Sequence, residues 1–462
     1  MATHVIVLAA GQGKRMMSDL PKVAHTAVGR PLVGWVIKAV APAAPDSMVV
    51  VLGHGAEVVR AHLDPAVRVA IQEEQLGTGH ATQIGLDSLG PLEDDDTVVV
   101  LYGDMPLISS DLVERLAKRP DSTSALLVTS IFDDPSGYGR VIRDEGDVVG
   151  VVEDRDCTPD QLEINEINAG VYSFRAADLK RGLAGIDRDN AQGELYLTDV
   201  IGILAREDAK LEAVNAAPHE VIGINSQDQL ADARKQLQMK TNVDLMKSGV
   251  KLIDPERTYI DDSVVVEPGA TIYPGTHLEG ETFVGAGSRI GPDVFAIDSK
   301  IGKDSIVWYS VLRYAEVGNE CEVGPYASLR RGTVLQDGSK LGTFVETKNA
   351  TLGEGAKANH LTYLGDATIG RGTNIGAGTI TCNYDGYEKH PTVIGEDAFI
   401  GSDTMLVAPI TIGDRAITGA GSALTKDVEA DALAVERNEQ KNISGYARRR
   451  AERQAAKKSE ES

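Results

Sequence analysis

The pattern of apolar and polar positions changes period near the middle of the chain. Over residues 1–227, short aliphatic runs alternate with stretches of helical spacing. The runs Val5–Ala9, Met48–Leu52, Val67–Ile71 and Thr97–Tyr102 read as strands, and Pro31–Val40 and Thr78–Leu86 as helices. Such alternation predicts an α/β domain with a Rossmann-like, mostly parallel sheet. Ligands of such sheets sit at the carboxyl ends of the strands. The loop at Gly11, the segment Tyr102-Gly103-Asp104 and Asn225 all fall at such ends. Residues 228–248 read as a helical linker, with Leu230, Ala233 and Leu237 at helical spacing.

From 249 to 440 the period becomes six. Ile260, Val266, Ile272, Leu278, Val284 and Ile290 form one register, Val317, Val323, Leu329, Leu335 and Leu341 a second, and Ile394, Ile400, Leu406 and Ile412 a third. Glycine often follows the aliphatic, as in Val284-Gly285 and Ile375-Gly376. Neither a helix nor simple strand alternation has this period. A left-handed parallel β-helix of hexapeptide repeats does, with one aliphatic per short strand pointing inward. The phase breaks near 296–300 and 382–393 read as loops leaving the coil. A solenoid of this kind serves either as an oligomerising stem or as an acyltransferase, and the period alone leaves both open. Residues 441–462 are charged, include Arg448-Arg449-Arg450 and Lys457-Lys458, and read as a flexible, solvated tail.

Composition narrows the classes. The 462 residues suit two or three domains. A net charge of −23 argues against a nucleic-acid surface, although a basic pocket for an anionic substrate is compatible with it. The three cysteines, Cys157, Cys321 and Cys382, are widely spaced and form no CxxC, which fits a reduced, cytoplasmic protein without a zinc site. No stretch approaches the length of a membrane span, and no signal peptide is evident.

The candidate chemistry begins at the first strand. The run Val5–Ala10 ends in Gly11-Gln12-Gly13, followed by Lys14 and Arg15 and then by Lys22. A strand that turns through glycines frees backbone N–H groups to face an anion, and Arg15 and Lys22 can meet phosphate charge. The loop is not a P-loop, because no Gly-Lys-Ser/Thr closes it. It also lacks the third glycine of a dinucleotide fingerprint, where Met16 stands.

Longer strings carry a family resemblance. They are 8–16 (Leu-Ala-Ala-Gly-x-Gly-x-Arg-Met), 20–23 (Leu-Pro-Lys-Val), 75–81 (Gln-Leu-Gly-Thr-Gly-His-Ala), 101–107 (Leu-Tyr-Gly-Asp-x-Pro-Leu), 137–140 (Gly-Tyr-Gly-Arg), 166–170 (Glu-Ile-Asn-Ala-Gly), 197–199 (Leu-Thr-Asp) and 223–225 (Gly-Ile-Asn). The second half adds 359–366 (Asn-His-Leu-Thr-Tyr-Leu-Gly-Asp) and 374–386, which contains Thr-Cys-Asn-Tyr-Asp-Gly. With these the chain resembles the bifunctional bacterial N-acetylglucosamine-1-phosphate uridyltransferases and glucosamine-1-phosphate acetyltransferases, from about residue 4 to 440.

The resemblance implies two reactions. Glucosamine 1-phosphate is acetylated by acetyl-CoA, and the resulting N-acetylglucosamine 1-phosphate takes UMP from UTP, giving the cell-wall precursor UDP-N-acetylglucosamine. For the second reaction it implies that Leu8, Ala9, Ala10 and Gly11 hold uridine and phosphates, that Gln72, Gly77 and Thr78 read the uracil, and that Gly139, Glu153 and Asn168 hold the sugar. Tyr102 and Gly103 complete that site. Arg15 and Lys22 act on phosphate charge, and Asp104 and Asn225 hold Mg²⁺. For acetyl transfer it implies His360 as the base and Glu346 as the group that orients it. Arg330, Lys348, Tyr363, Asn374 and Lys389 surround the sugar phosphate. Ala377, Asn383, Tyr384, Ser402, Ala420 and Arg437 line the acetyl-CoA groove, with Cys382 beside it. Ala358 occupies the inward slot, which turns His360 outward toward a neighbouring subunit, and a homotrimer is implied. Two positions depart from the family: Lys14 stands where a Thr is usual, and Arg331 where a Pro is usual. The competing reading is a hexose-1-phosphate nucleotidyltransferase with a structural solenoid, and a non-catalytic scaffold subunit is a third.

Overall fold

The computed structural model describes residues 1–11 and 13–460. The backbone of Gln12 and the side chain of Lys14 lie outside the described part, so the departure at Lys14 is not followed further. The chain forms two compact units, one of residues 1–244 with 259–263, the other of 245–258 with 264–462.

The first unit is built on a mixed sheet. Its strands are β1 (Thr3–Ala9), β2 (Ser47–Leu52), β3 (Arg68–Ile71), β4 (Thr97–Tyr102), β5 (Ala125–Ile131), β6 (Gly139–Asp144), β7 (Asp147–Val152), β8 (Glu166–Arg175) and β9 (Leu211–Asn215). The order is β9-β5-β8-β4-β1-β2-β3, with β6 and β7 branching from β8. The pairs β4–β1, β1–β2, β2–β3 and β9–β5 are parallel. Strand β8 runs antiparallel to both β4 and β5, an element the sequence reading did not place. Helices α1 (Leu32–Val40) and α2 (Thr78–Leu89) form where helical spacing predicts them. Central strands such as β1 and β4 are buried on both faces, which is why they read as continuous aliphatic runs.

The helix α3 (Thr198–Arg206) packs against β7, and α4 (Gln227–Lys247) corresponds to the expected linker. Leu230, Ala233 and Leu237 of α4 are buried against Met16, Leu32, Trp35 and Ile224 of the first unit. Residues 259–263 also cluster with this unit. There, Asp262 accepts hydrogen bonds from Arg30 Nε (3.0 Å) and Nη2 (2.6 Å) and pairs with Lys38.

The second unit is a parallel β-helix. Each short strand pairs with its equivalent one coil later, as Thr271 with Arg289 and Val265 with Phe283. The inward residues Leu278, Val284, Ile290, Leu329, Ile400 and Ile412 are all fully buried. Buried hydroxyls continue the ladder between coils: Ser288 Oγ donates to the Gly302 carbonyl (2.7 Å) and accepts from Ser305 N (2.9 Å). Cys321 fills the equivalent slot in the next coil, its N–H donating to Ser305 Oγ (3.0 Å). One expected loop is absent. Near 296–300 the coil is only shortened, because Ala296 occupies an inward slot and Ile301 the next. The segment 383–391 does leave the coil and closes on itself through a Tyr384–Lys389 bridge. In the 441–462 tail a helix, α5 (Tyr446–Glu460), forms where the sequence reading expected none; its described residues are exposed.

Candidate active sites

In the first unit, Gly103 N donates to the Leu8 carbonyl (2.8 Å), so β1 and β4 end side by side. A cleft of about 270 Å³ opens at these ends. Leu8, Ala9, Ala10, Gly11, Lys22, Gln72, Gly77, Thr78, Tyr102 and Asp104 all line it, as expected from the sequence. Gln75 and Glu194 also line it and were not anticipated. Gln75 Nε2 donates to the Ala10 carbonyl (2.7 Å) and ties down the glycine loop. Gln72 Nε2 lies 3.2 Å from the Gly77 carbonyl, so the two uracil-side candidates are in contact.

The second glycine of the loop has a defined task. Gly13 has φ +65°, and a Cβ there would lie 2.5 Å from Lys22 Cβ. Glycine therefore lets Lys22 fold back against the loop. Lys22 Nζ donates to Asn225 Oδ1 (2.9 Å) and pairs with Asp104 Oδ2. Ile224 N donates to the Asp104 carbonyl (2.9 Å), which carries Asn225 to this point. Asp104 Oδ1 is buried and has no partner among the described residues. Arg15 is exposed and makes no hydrogen bond or ion pair among the described residues; its charge and that of Asp104 both act on the Tyr138 hydroxyl.

The sugar-side candidates converge through β6 and β8. Asn168 pairs with Gly139, and a Cβ on Gly139 would lie 3.6 Å from Glu153 Oε2. Asn168 Nδ2 donates to the Tyr172 hydroxyl (2.6 Å), while its Oδ1 is buried with no partner among the described residues. Glu153 Oε1 accepts from Thr198 Oγ1 (3.0 Å). Burial pushes the Glu153 carboxyl above its ordinary value, with Asp199, Asp156 and Asp154 adding to the rise and Thr198 opposing it. Burial likewise raises the Tyr102 hydroxyl, helped by Glu153. Gly170, with φ +76°, is required beneath that ring, because a Cβ would meet it at 2.6 Å.

In the second unit Ala358 is buried and His360 exposed, the alternation the six-residue period predicts. Three cations gather on another face of the coil. Lys389 and Arg330 depress the Lys348 ammonium, with Asp366 opposing them. Asp366 Oδ1 accepts from Asn349 Nδ2 (2.7 Å), and its Oδ2 accepts from Asn383 Nδ2. A Cβ on Gly365 would meet Tyr363 Oη at 2.3 Å and Asn383 Nδ2 at 2.8 Å, so that glycine lets the two side chains sit together. Asn374 lies on the strand paired with Lys357-Ala358. Tyr384 is exposed in the 383–391 loop, its hydroxyl donating to the Gly386 carbonyl (2.6 Å).

A ladder runs from the histidine along one edge of the coil. Gly378 N donates to the His360 carbonyl (3.4 Å), and Gly421 N to the Ser402 carbonyl (2.9 Å). Between them, Asp403 N donates to the Ala377 carbonyl (2.6 Å), and beyond them Arg437 Nη1 donates to the Ala420 carbonyl (2.7 Å). Glu346 is placed differently from its expected role. Its Oε1 accepts from Arg330 Nη1 (2.9 Å), and it makes no hydrogen bond to His360 among the described residues. Arg331 stacks on the Tyr314 ring, 3.7 Å from its centroid, which accommodates the departure from Pro at that turn.

This architecture defines a nucleotidyltransferase domain joined to a hexapeptide transferase. The family model for the MobA-like NTP transferase domain matches residues 5–145, and that for the bacterial transferase hexapeptide (six repeats) matches 391–426. Proteins named "Bifunctional protein GlmU" match over nearly the whole chain. The one from Streptomyces avermitilis is 46% identical over 465 residues, covering 99% of this chain and 96% of that protein. Those from Kineococcus radiotolerans and Carboxydothermus hydrogenoformans are 45% and 44% identical, over 96% of this chain and 91% and 99% of their own.

The chain belongs to the family of bifunctional GlmU proteins. It is a two-activity transferase, a UDP-N-acetylglucosamine pyrophosphorylase and a glucosamine-1-phosphate N-acetyltransferase. The stem-only reading of the solenoid is thereby set aside.

Proposed function

We propose that the first-unit cleft and the residue cluster of the second unit carry these two reactions in sequence. In the first-unit cleft, a phosphate oxygen of N-acetylglucosamine 1-phosphate attacks the α-phosphorus of UTP, and pyrophosphate leaves. Such transfers need alignment and charge neutralisation more than covalent help. The backbone of Leu8–Gly11 holds the nucleotide, Gln72, Gly77 and Thr78 read the base, and Gly139, Glu153 and Asn168 bind the sugar beside Tyr102 and Gly103. Lys22 neutralises phosphate charge, and Arg15 reaches the triphosphate from its exposed position.

Asp104 and Asn225 fit a divalent cation. Their oxygens are hard donors, Asp104 Oδ1 is a buried acceptor without a partner, and a cation (the Lys22 ammonium) already bridges the two residues. Mg²⁺ uses few protein ligands and keeps several waters, which suits a two-residue site. When bound it supplies charge neutralisation at the triphosphate.

In the second unit His360 takes a proton from the sugar amine, which must be neutral to attack the thioester. Arg330, Lys348 and Lys389 receive the sugar phosphate, with Tyr363 and Asn374 at the ring. The carrying observation is this convergence of three cations, which Glu346 and Asp366 offset only in part: the Lys348 pKa stays lowered by Lys389 and Arg330, and a phosphate relieves it. Ala377, Asn383, Tyr384, Ser402, Ala420 and Arg437 border the acetyl-CoA groove. Glu346 holds Arg330 rather than the imidazole. His360 faces outward, which supports a homotrimer with sites between subunits. The three unpaired cysteines support a cytoplasmic setting, and among the described residues no helix is long and apolar enough to cross a membrane.

The test is a mass-spectrometric product assay with glucosamine 1-phosphate, acetyl-CoA, UTP and Mg²⁺. We expect UDP-N-acetylglucosamine from the native chain, and from His360→Asn only when N-acetylglucosamine 1-phosphate is supplied. Acetylated product from His360→Asn at the native rate refutes the assignment of the base.

A further inference from the structure

The string Leu197-Thr198-Asp199 has no assigned part in either reaction, yet it bonds both to Thr78, which lines the first-unit cleft, and to the sugar-side candidate Glu153. It forms the first turn of α3. Leu197 N donates to Thr78 Oγ1 (3.1 Å), on the uracil side. Thr198 Oγ1 donates to Glu153 Oε1 (3.0 Å), on the sugar side. Thr198 is buried, with 6% of its surface exposed, so water does not substitute for its hydroxyl. Gly79 N also donates to the Leu195 carbonyl (2.8 Å), and Leu195 N to the Leu76 carbonyl (2.8 Å). The segment 195–198 is therefore laced to the uracil-side loop by backbone bonds and to the sugar side by one side chain.

We propose that Thr198 is the positioning residue for sugar recognition, its hydroxyl holding Glu153 as an aimed, ionised acceptor for a sugar hydroxyl. This rests on the reading that Glu153 binds the sugar. The surroundings of Glu153 make the hydroxyl decisive. Asp154 and Asp156 face it from the turn after β7, and Asp199 from α3, all favouring protonation. Tyr102, Tyr172, Tyr196 and Cys157 are further titratable groups around it, and the buried Arg140 on β6 pairs with Asp154 (3.2 Å). Against burial and three acids, Thr198 supplies the stabilising hydrogen bond to the charged form. A protonated Glu153 donates where the site needs an acceptor, and an unheld carboxylate loses its aim.

The sign follows. Without the hydroxyl the Glu153 pKa rises further, so at a fixed pH more of the enzyme carries the wrong protonation state. The defect then shrinks as pH rises. Thr198→Val keeps the shape and removes the donor; Thr198→Ser restores it. Loss of one hydrogen bond to a charged group predicts about a tenfold rise in KM for N-acetylglucosamine 1-phosphate at pH 7. KM for UTP should change less than about twofold, because the bond to Thr78 comes from backbone and survives.

The experiment measures uridylyl transfer by native protein, T198V, T198S and E153Q from pH 6 to 9, with the thermal unfolding of the first unit on the same preparations as a folding control. The expected result is a sugar-phosphate KM for T198V that falls toward native as pH rises, with T198S close to native throughout. A T198V profile parallel to native, or an equal rise in both substrates' KM, overturns the proposal. Native sugar KM in E153Q instead refutes the underlying role of Glu153. If T198V fails to fold, T198S and T198A against E153Q make the same distinction.

Discussion

Replacing Lys22 with Ala separates two roles that the geometry assigns to one side chain. Lys22 Nζ bridges Asp104 and Asn225, the two proposed metal ligands, so it stands in the cation position. Both side chains of the Lys22–Asp104 pair are only 13% exposed, so their mutual field is weakly screened. Two cations about 4 Å apart repel by about 4 kcal/mol per pair of unit charges at an effective dielectric constant near 20. Part of that is relieved because the lysine swings toward phosphate, so we predict Mn²⁺ binding, read by water-proton relaxation without nucleotide, to tighten at least about tenfold in Lys22→Ala. Catalysis should move the other way. Loss of one preorganised charge at the reacting phosphate costs about 2.7–4 kcal/mol, or about 10²–10³ in kcat for uridylyl transfer. Acetyl transfer should be unchanged. Weaker Mn²⁺ binding would show that Lys22 builds the cation site rather than competing for it, and equal loss of both activities would refute the assignment altogether.

Three further outcomes follow from burial and charge. Burial raises the Cys382 thiol pKa, so alkylation by iodoacetamide should be slow at pH 7 and accelerate as pH passes the ordinary thiol value of about 8.5. Peptide mapping should then tie loss of acetyl transfer to Cys382, with Cys382→Ser protected; a pH-independent rate or no selectivity between activities refutes this. Leu329 is fully buried inside the coil, and Leu329→Ala should cost about 2–5 kcal/mol, seen as acetyl transfer lost at lower temperature than uridylyl transfer. The exposed cations of the second unit predict a steeper rise in KM for glucosamine 1-phosphate with added salt than for UTP, measurable between 50 and 300 mM KCl, roughly the range where exposed charges are screened.

The parts of the fold that the sequence foretold are those whose period has a single structural meaning. A six-residue repeat of aliphatics has no helical or sheet alternative, and the inward slots fill as expected. The error near 296–300 arose because the register was traced through large aliphatics. Ala296 holds an inward slot without announcing it, so a shortened coil looked like an excursion. The strands β1, β2 and β4 were legible as buried runs and β3, an exposed edge strand, as an aliphatic one, but direction was not. Ala125–Val128 and Val171–Phe174 are buried on both faces whichever way they run, and only the partner strand makes β8 antiparallel.

The functional residues divide along the same line. The glycine loop and its cations were visible because glycine at a strand end has a conformational reason that a single sequence displays, and Gly13 bears it out beside Lys22. Roles that depend on partners far along the chain were invisible. Thr198 reaches Glu153 across 45 residues. Glu346 was paired with the wrong partner for the same reason, because the coil sets its neighbours by stacking. Glu346 stands beside Ser328 of the preceding coil, two residues from Arg330, and beside Tyr363 of the next. A carboxylate in that position meets the guanidinium one coil away more readily than a histidine on another face. The stacking rule that made the repeat readable therefore also determines which charged groups can meet, and it gives Glu346 to the phosphate side of the acetyl-transfer site.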